Sequence, residues 1–355
     1  MSRRIFILVP AIVPSGPIKG AYALANALAP SRSVTLVSLR DGPGADAPLD
    51  SRVQRVCLAP HRTFMSKVRS YREMLRAAGG RNSTASISLC LAADAANMLC
   101  SSDTVTCASV RGNLQQNYHL EYGSIGRVAA AAHLLFLRAA DHVVVMTEAM
   151  SRQVSRFTGR NRISIIRNFV DESPLERFRA APPVGPLRFV FLGSLTQRKQ
   201  PMLLVQAIAE LRSTGVDAHA QVIGTGPMEE ILRRDIERRG LTAAVTMSGF
   251  LSEPYEVLSR SDALVLPSLS EGLSRACMEA LYLGVPCVLR AVDGNEELVR
   301  SGVSGFLFDN EDQIAAAMMR ASQIARTTQA MRASLLPAEF RQEPAAHAYL
   351  TLVES

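Results

Sequence analysis

Apolar runs of strand length alternate with segments of helical spacing along nearly the whole chain. In the first half the runs fall at 5–9, 34–39, 53–58, 87–91, 105–110, 143–147 and 163–166. Helical spacing recurs between them at 20–29, 62–78, 126–139 and 148–157. The second half repeats the rhythm, with runs at 188–192, 220–224, 244–248, 262–266, 286–289 and 305–308. Its helical segments are 201–213, 227–239, 254–260, 273–283, 295–301 and 311–326. Strands that are apolar throughout are buried on both faces, and strands joined through helices run parallel. The pattern predicts an α/β fold of parallel sheets covered by helices on both sides.

At 355 residues the chain exceeds one typical domain. Residues 171–187 hold four prolines and no clean periodicity, which marks the linker. The expected organisation is a first domain over 1–172, a linker at 173–187 and a second domain over 188–338. Each half is long enough for a doubly wound sheet, a fold that binds ligands at the carboxyl ends of its strands.

Composition narrows the partners. Hydrophobic residues make up 48% and charged residues 20%, which excludes global disorder. The net charge is +7, yet aromatics are 5% and tryptophan is absent, so the chain lacks the stacking groups of a single-strand nucleic-acid binder. Phosphorylated small molecules and membrane surfaces fit the charge better, and no nucleic-acid partner is expected. The start, MSRRIFILVPAIVP, reads as a first strand entering a loop, and no run reaches the length of a membrane span. A cytoplasmic location follows as the expectation. The six cysteines form no CxxC pair and no Cys/His cluster, so buried thiols and no metal site are expected.

The segment DALVLPSLSEGLSRACMEALYLGVP, 262–286, carries the chemistry. It reads as a buried strand, a small polar loop and a helix from Leu273 to Leu283, closed by Gly284. Glu271 then stands at the helix start and Glu279 eight residues on, about 12 Å apart in continuous helix. Such carboxylates cannot share a proton or a metal, but they can grip two ends of one elongated ligand. The helix start between them suits a phosphate, and Gly272 permits close backbone approach. A nucleotide sugar matches that layout, whereas a surface helix with two ordinary glutamates is the plainer alternative.

This segment resembles the E-x7-E signature of retaining GT-B glycosyltransferases, of glycosyltransferase family 4 (group 1) type. FVFLGSLTQRKQPMLLVQAIAEL (189–211), QVIGTGPMEEIL (221–232), TMSGFL (246–251) and DGNEELVRSGVSGFLF (293–308) resemble further parts of that family's donor domain. The resemblance is strong from 187 to about 330 and looser over 1–170. It implies two Rossmann-like domains facing across a cleft, with 339–355 crossing back to the first domain. It also implies a hexosyltransferase that needs no metal or other cofactor. The donor would be a nucleoside-diphosphate sugar, UDP being favoured, and the acceptor a glycan or lipid-linked hydroxyl. The setting would be surface polysaccharide or lipopolysaccharide biosynthesis.

Site residues follow from the matched motifs. Glu271 would orient the sugar and Glu279 the ribose. Lys199 and Arg198, with the amides of Gly272, Leu273 and Ser274, would meet the diphosphate. Phe250 would lie beside the base. Ser194 stands where the family has an arginine, and Gly16, preceded by Ser15, matches the second of two glycines. Arg111 stands where the family has a histidine; it can bind a sugar hydroxyl or a phosphate but cannot act as a base. His119, in a polar stretch, is the acceptor-side candidate, while His133 reads as core. Asn168 and Asp171 read as structural. Gly224-Thr225-Gly226-Pro227 lacks the third glycine of a dinucleotide fingerprint. Two other readings share the fold: a nucleotide-sugar epimerase or hydrolase, and a non-catalytic glycan- or partner-binding protein.

Residues 62–76 are basic and amphipathic, with Phe64, Val68, Tyr71 and Leu75 on one stripe. That stripe either lies on anionic lipid at the cytoplasmic membrane face or packs against the chain's own sheet.

Overall fold

A computed structural model describes residues 2–13, 15–42, 49–159, 162–292, 294–327 and 330–354. Asp293, in the motif read at 293–308, lies outside them. The chain divides into two compact units, Met1–Asp171 with Glu339–Ser355, and Glu172–Ala338.

The first unit is built on seven parallel strands: β1 Arg4–Ala11, β2 Val34–Arg40, β3 Gln54–Cys57, β4 Thr84–Leu89, β5 Val105–Ser109, β6 His142–Val145 and β7 Ile163–Ile165. Their spatial order is β3-β2-β1-β4-β5-β6-β7. Central β1 pairs with both β2 and β4, Ile5 standing beside Val34 on one side and Ala85 on the other. Its side chains alternate between two cores, as the period of a strand requires. Ile5, Ile7 and Val9 pack under the helix Gly16–Leu28 and the final helix Gln342–Glu354, whose Ala345, Tyr349 and Val353 are buried. Phe6 and Leu8 pack under the helix Phe64–Ala77.

Val68, Tyr71 and Leu75 of that helix are buried in the protein's own core, while Phe64, the first member of the stripe, is exposed. Tyr71 also hydrogen-bonds Ser86 at 2.6 Å, which satisfies its hydroxyl inside the core. Two helical stretches exceed the sequence reading. Leu91–Met98 begins immediately after β4, where a strand was expected to run to residue 91. Leu114–Phe136 starts twelve residues ahead of the expected 126 and breaks at Gly123, whose φ of 61° no helix contains.

The second unit has six parallel strands: β8 Leu187–Leu192, β9 Ala218–Ile223, β10 Val245–Gly249, β11 Ala263–Leu266, β12 Cys287–Arg290 and β13 Gly305–Phe308. Their order is β10-β9-β8-β11-β12-β13. Asp262, fully buried at the foot of β11, accepts a forked pair from Arg326 at 2.6 and 2.9 Å and the Arg188 amide at 2.7 Å. A buried carboxylate needs such partners to remain ionised. Both sheets reverse direction once, at β1/β4 and at β8/β11. In a doubly wound sheet the strand ends at such a switch point leave a crevice for a ligand.

Candidate functional site

At the switch point of the second unit, the loops after β8 and β11 are tied together. After Leu192 the chain passes Gly193 and Leu195, makes a short 3-10 turn at Gln197–Lys199, and enters the helix Met202–Ser213 through Gln200 in the left-handed region, φ 51°. The loop after β9 clasps it from the other side. Leu195 N donates to Thr225 O at 2.9 Å and Met228 N to Leu195 O at 3.0 Å. Gly224 and Gly226 make that clasp possible. A Cβ at Gly224 would stand 1.9 Å from Gly193 O, and one at Gly226 would stand 2.5 Å from Leu195 O. These glycines therefore serve loop-to-loop contact. Gly224 N also donates to Gly249 O at 2.7 Å, which brings the end of β10 and the half-exposed ring of Phe250 to the same edge. Ser194 is exposed there.

The loop after β11 meets this basic turn directly. Leu269 N donates to Arg198 O at 2.8 Å, and the Arg198 guanidinium donates to Ser270 O at 2.7 Å. Arg198 Nη1 stands 3.9 Å from Glu271 Oε2, and Lys199 Nζ donates to Glu271 Oε1. Glu271 is 7% exposed. Burial pushes its carboxyl up, but the charges of Lys199 and Arg198 and the Lys199 hydrogen bond outweigh that and hold it below its ordinary value. The cluster is thus an ionised carboxylate pinned by two cations in a largely dry loop.

The helix beyond is shorter than its sequence suggested, running Arg275–Tyr282. Ser274 is its cap, with extended backbone at φ −66° and ψ 119° and its side chain accepting from Cys277 N. Glu271 therefore lies outside the helix, four residues before its first member, and the 12 Å separation of a continuous helix does not apply. Gly272 and Leu273 belong to the lead-in, with the Leu273 side chain buried. Glu279 sits inside the helix, 4% exposed, with Arg275 Nε 3.8 Å from Oε1 one turn earlier. Arg275 is the site-adjacent cation that reading the sequence missed; its i, i+4 spacing to Glu279 was the available signal. Among the described residues no three His, Cys, Asp or Glu side chains gather as a metal site would require.

The first unit holds its candidates differently. Gly16 opens its helix at the β1/β4 switch point, and a Cβ there would meet nothing within 4 Å. Arg111, just past β5, donates to Asn168 Oδ1 at 3.1 Å and reaches Tyr349 Oη at 3.5 Å. Tyr349 in turn hydrogen-bonds Ser109 at 3.0 Å. His119 is exposed, with Nδ1 3.2 Å from Gly123 O and Nε2 3.4 Å from Arg127. His133 is buried, with Nε2 2.8 Å from Asp94 Oδ2 and Nδ1 3.1 Å from Tyr118 Oη. Ser88 donates to the other Asp94 oxygen at 2.6 Å and accepts from Asn97 at 3.1 Å. This buried network escaped the sequence reading because its members are spread over residues 88–133. Beside it Cys90 adopts φ 73°, a left-handed conformation that a side chain disfavours, at the turn between β4 and its helix. Asp171 accepts from Asn26 at 3.4 Å.

Two parallel α/β units of this winding are the GT-B architecture. The model superposes on the solved structure of Anabaena HepE in complex with UDP and glucose with a TM-score of 0.77 over 99% of both chains, at 16% identity. The lipopolysaccharide outer core galactosyltransferase WaaB, in its apo form, gives 0.70 over 99% of both. In sequence, residues 172–333 match the family model of Glycosyl transferases group 1. The putative colanic acid biosynthesis glycosyltransferase WcaL of Salmonella typhimurium is 32% identical over 164 residues, 44% of this chain and 40% of that one. An Escherichia coli UDP-Gal:alpha-D-GlcNAc-diphosphoundecaprenol alpha-1,3-galactosyltransferase is 29% identical over 166 residues, 42% of each chain. The match spans about two fifths of the length of these curated relatives.

Proposed function

We propose that this chain is a retaining hexosyltransferase. It moves a sugar from a nucleoside-diphosphate donor, UDP-linked in the favoured case, to a hydroxyl of a glycan or lipid-linked acceptor in surface polysaccharide or lipopolysaccharide biosynthesis. One observation carries the reading: Lys199 and Arg198 converge on buried Glu271 at the switch point of the unit that matches the group 1 model. By their descriptions one relative is a putative colanic acid biosynthesis glycosyltransferase and the other a galactosyltransferase from UDP-Gal to GlcNAc-diphosphoundecaprenol, and HepE was solved with UDP and glucose, which supports the substrate class.

In the reaction the bond from the anomeric carbon to the diphosphate oxygen breaks and a bond to the acceptor oxygen forms. Negative charge builds on the departing diphosphate, and the proton of the acceptor hydroxyl passes to that diphosphate or to solvent. Lys199 and Arg198 neutralise that charge, aided by backbone amides leading into the helix Arg275–Tyr282. Such preorganised donors cost no reorganisation as the charge develops. Glu271, kept ionised by the same cations, accepts hydrogen bonds from sugar hydroxyls. Glu279 accepts from the ribose. No metal is assigned a part, since the cations and the helix start supply the neutralisation.

Calorimetry with UDP and GDP on the native protein and Glu279→Ala tests the donor site. Saturable binding of one nucleotide, weakened by the substitution, is the expected result. Failure of folded protein to bind either nucleotide would move the reading to a non-catalytic binding protein. Product analysis with and without acceptor separates transfer from epimerisation or hydrolysis.

A further inference from the structure

The large apolar side chains exposed on the first unit are confined to one stretch. Among the described residues all of them fall between Phe64 and Phe136, on or beside the helices Phe64–Ala77, Leu91–Met98 and Leu114–Phe136. The helices Gly16–Leu28 and Gln342–Glu354 on the opposite sheet face carry none.

The density is greatest after the Gly123 break. A Cβ at Gly126 would stand 1.9 Å from Tyr118 O, so the two helical segments fold closely on each other there. Beyond it Ile125 is 78% exposed, Val128 71%, Leu135 52% and Phe136 47%. With exposed Ala132 they recur at intervals of three and four, which places them on one helical face. The other face is already used: Ala130, Leu134 and Leu137 are buried, and His133 is bonded to Asp94 and Tyr118. The exposed row is therefore not a displaced core face.

Its surroundings are basic. No acid lies between Glu121 and Asp141, while Arg127 and Arg138 stand on the same stretch, to one side of the row. The adjoining helix Glu148–Thr158 adds exposed Arg152 and Arg156. Over residues 61–138 the chain carries nine arginines and lysines against four acids, two of which, Asp94 and Asp103, are buried.

We propose that this face docks on a bilayer surface bearing anionic headgroups, with Ile125, Val128, Leu135 and Phe136 entering the interface. An apolar row with arginines along one side and on the adjoining helix has the chemistry of an interfacial helix. A second copy of the chain complements it poorly, because a two-fold contact sets the same patch against itself and opposes Arg127 and Arg138 to their own like charges. The inference does not depend on the donor-site reading.

The test is co-sedimentation of the full chain with phosphatidylcholine vesicles, with and without phosphatidylglycerol, alongside light scattering of the free protein. The native protein binds the anionic vesicles, and added salt weakens binding. The variant Ile125→Ser/Val128→Ser/Leu135→Ser, checked for folding by its thermal melt, binds at least about fivefold less. Arg127→Gln/Arg138→Gln loses the preference for phosphatidylglycerol. Equal binding by the serine variant, or no binding by the native protein, overturns the proposal. A native dimer that the serine variant breaks, with no vesicle binding, overturns it in favour of a second copy.

Discussion

The two units share one winding and one kind of switch point, yet they handle polar side chains in opposite ways. In the second unit the strand-end loops bridge opposite charges between two chain segments: Lys199 and Arg198 around Glu271, with Glu279 beside Arg275 in the following helix. In the first unit the charged and polar groups near the strand ends are bonded into the fold. Arg111 is tied to Asn168 and Tyr349, and His133 to Asp94 and Tyr118. Topology fixes where a crevice forms. What a side chain there can do depends on which bonds it has already made.

Substitutions in the two units are expected to separate along that line. The largest effect is expected for Lys199→Ala, which lowers the transfer rate by about 10²–10³-fold. Steady-state assays with a UDP-sugar would check it, and a rate within threefold of native would break the contrast. Next is His133→Ala in the first unit, which leaves Asp94 buried beside a cavity and costs about 3 kcal/mol of stability. Urea unfolding would measure it, with UDP affinity unchanged. Glu279→Ala is expected to weaken UDP binding about tenfold or more through lost charged hydrogen bonds, with little change in the melt. Smallest is Gly16→Ala, where open space and ordinary helical backbone hold the stability change within about 0.5 kcal/mol. A fall in transfer with that variant would show a ligand passing close to the helix start.

The Glu271 carboxyl adds a pH signature. Its folded pKa lies below the ordinary value of 4.5. The stabilisation is therefore present above about pH 4.5 and is lost as pH falls through the folded value. Lys199→Met removes the nearer cation and leaves the carboxylate buried, so the variant's stability should climb less steeply from acid toward pH 4.5. Urea midpoints across that range would register the difference.

The strands were legible because parallel strands buried on both faces are largely apolar; β1 and β11 read that way at sight. Helices that signal weakly were not legible. Leu91–Met98 is made largely of small residues and is preceded by Cys90, which offers no side-chain cap. The polar stretch from Leu114 has no apolar stripe, although Asn113, whose side chain accepts from Gln116 N, was a readable cap. Ser274 was another, and it would have moved the start of the next helix from Leu273 to Arg275. The contact of Lys199 with Glu271 joins residues 72 apart, a distance that no local rule spans. Only likeness to a family assigned both residues to one site. The clasp of Gly224 and Gly226 on the neighbouring loop was hidden for the same reason, since it concerns space between chain segments.

The final helix bears on how the protein is made. Ala345, Tyr349 and Val353 complete a core whose other members lie almost entirely within residues 5–169. A ribosome adding 5–20 residues per second needs roughly ten to forty seconds to travel from the end of β7 to that helix. During that interval the second unit emerges whole, while the first, though synthesised earlier, waits with an apolar face uncovered. The order of completion is thus the reverse of the order of synthesis.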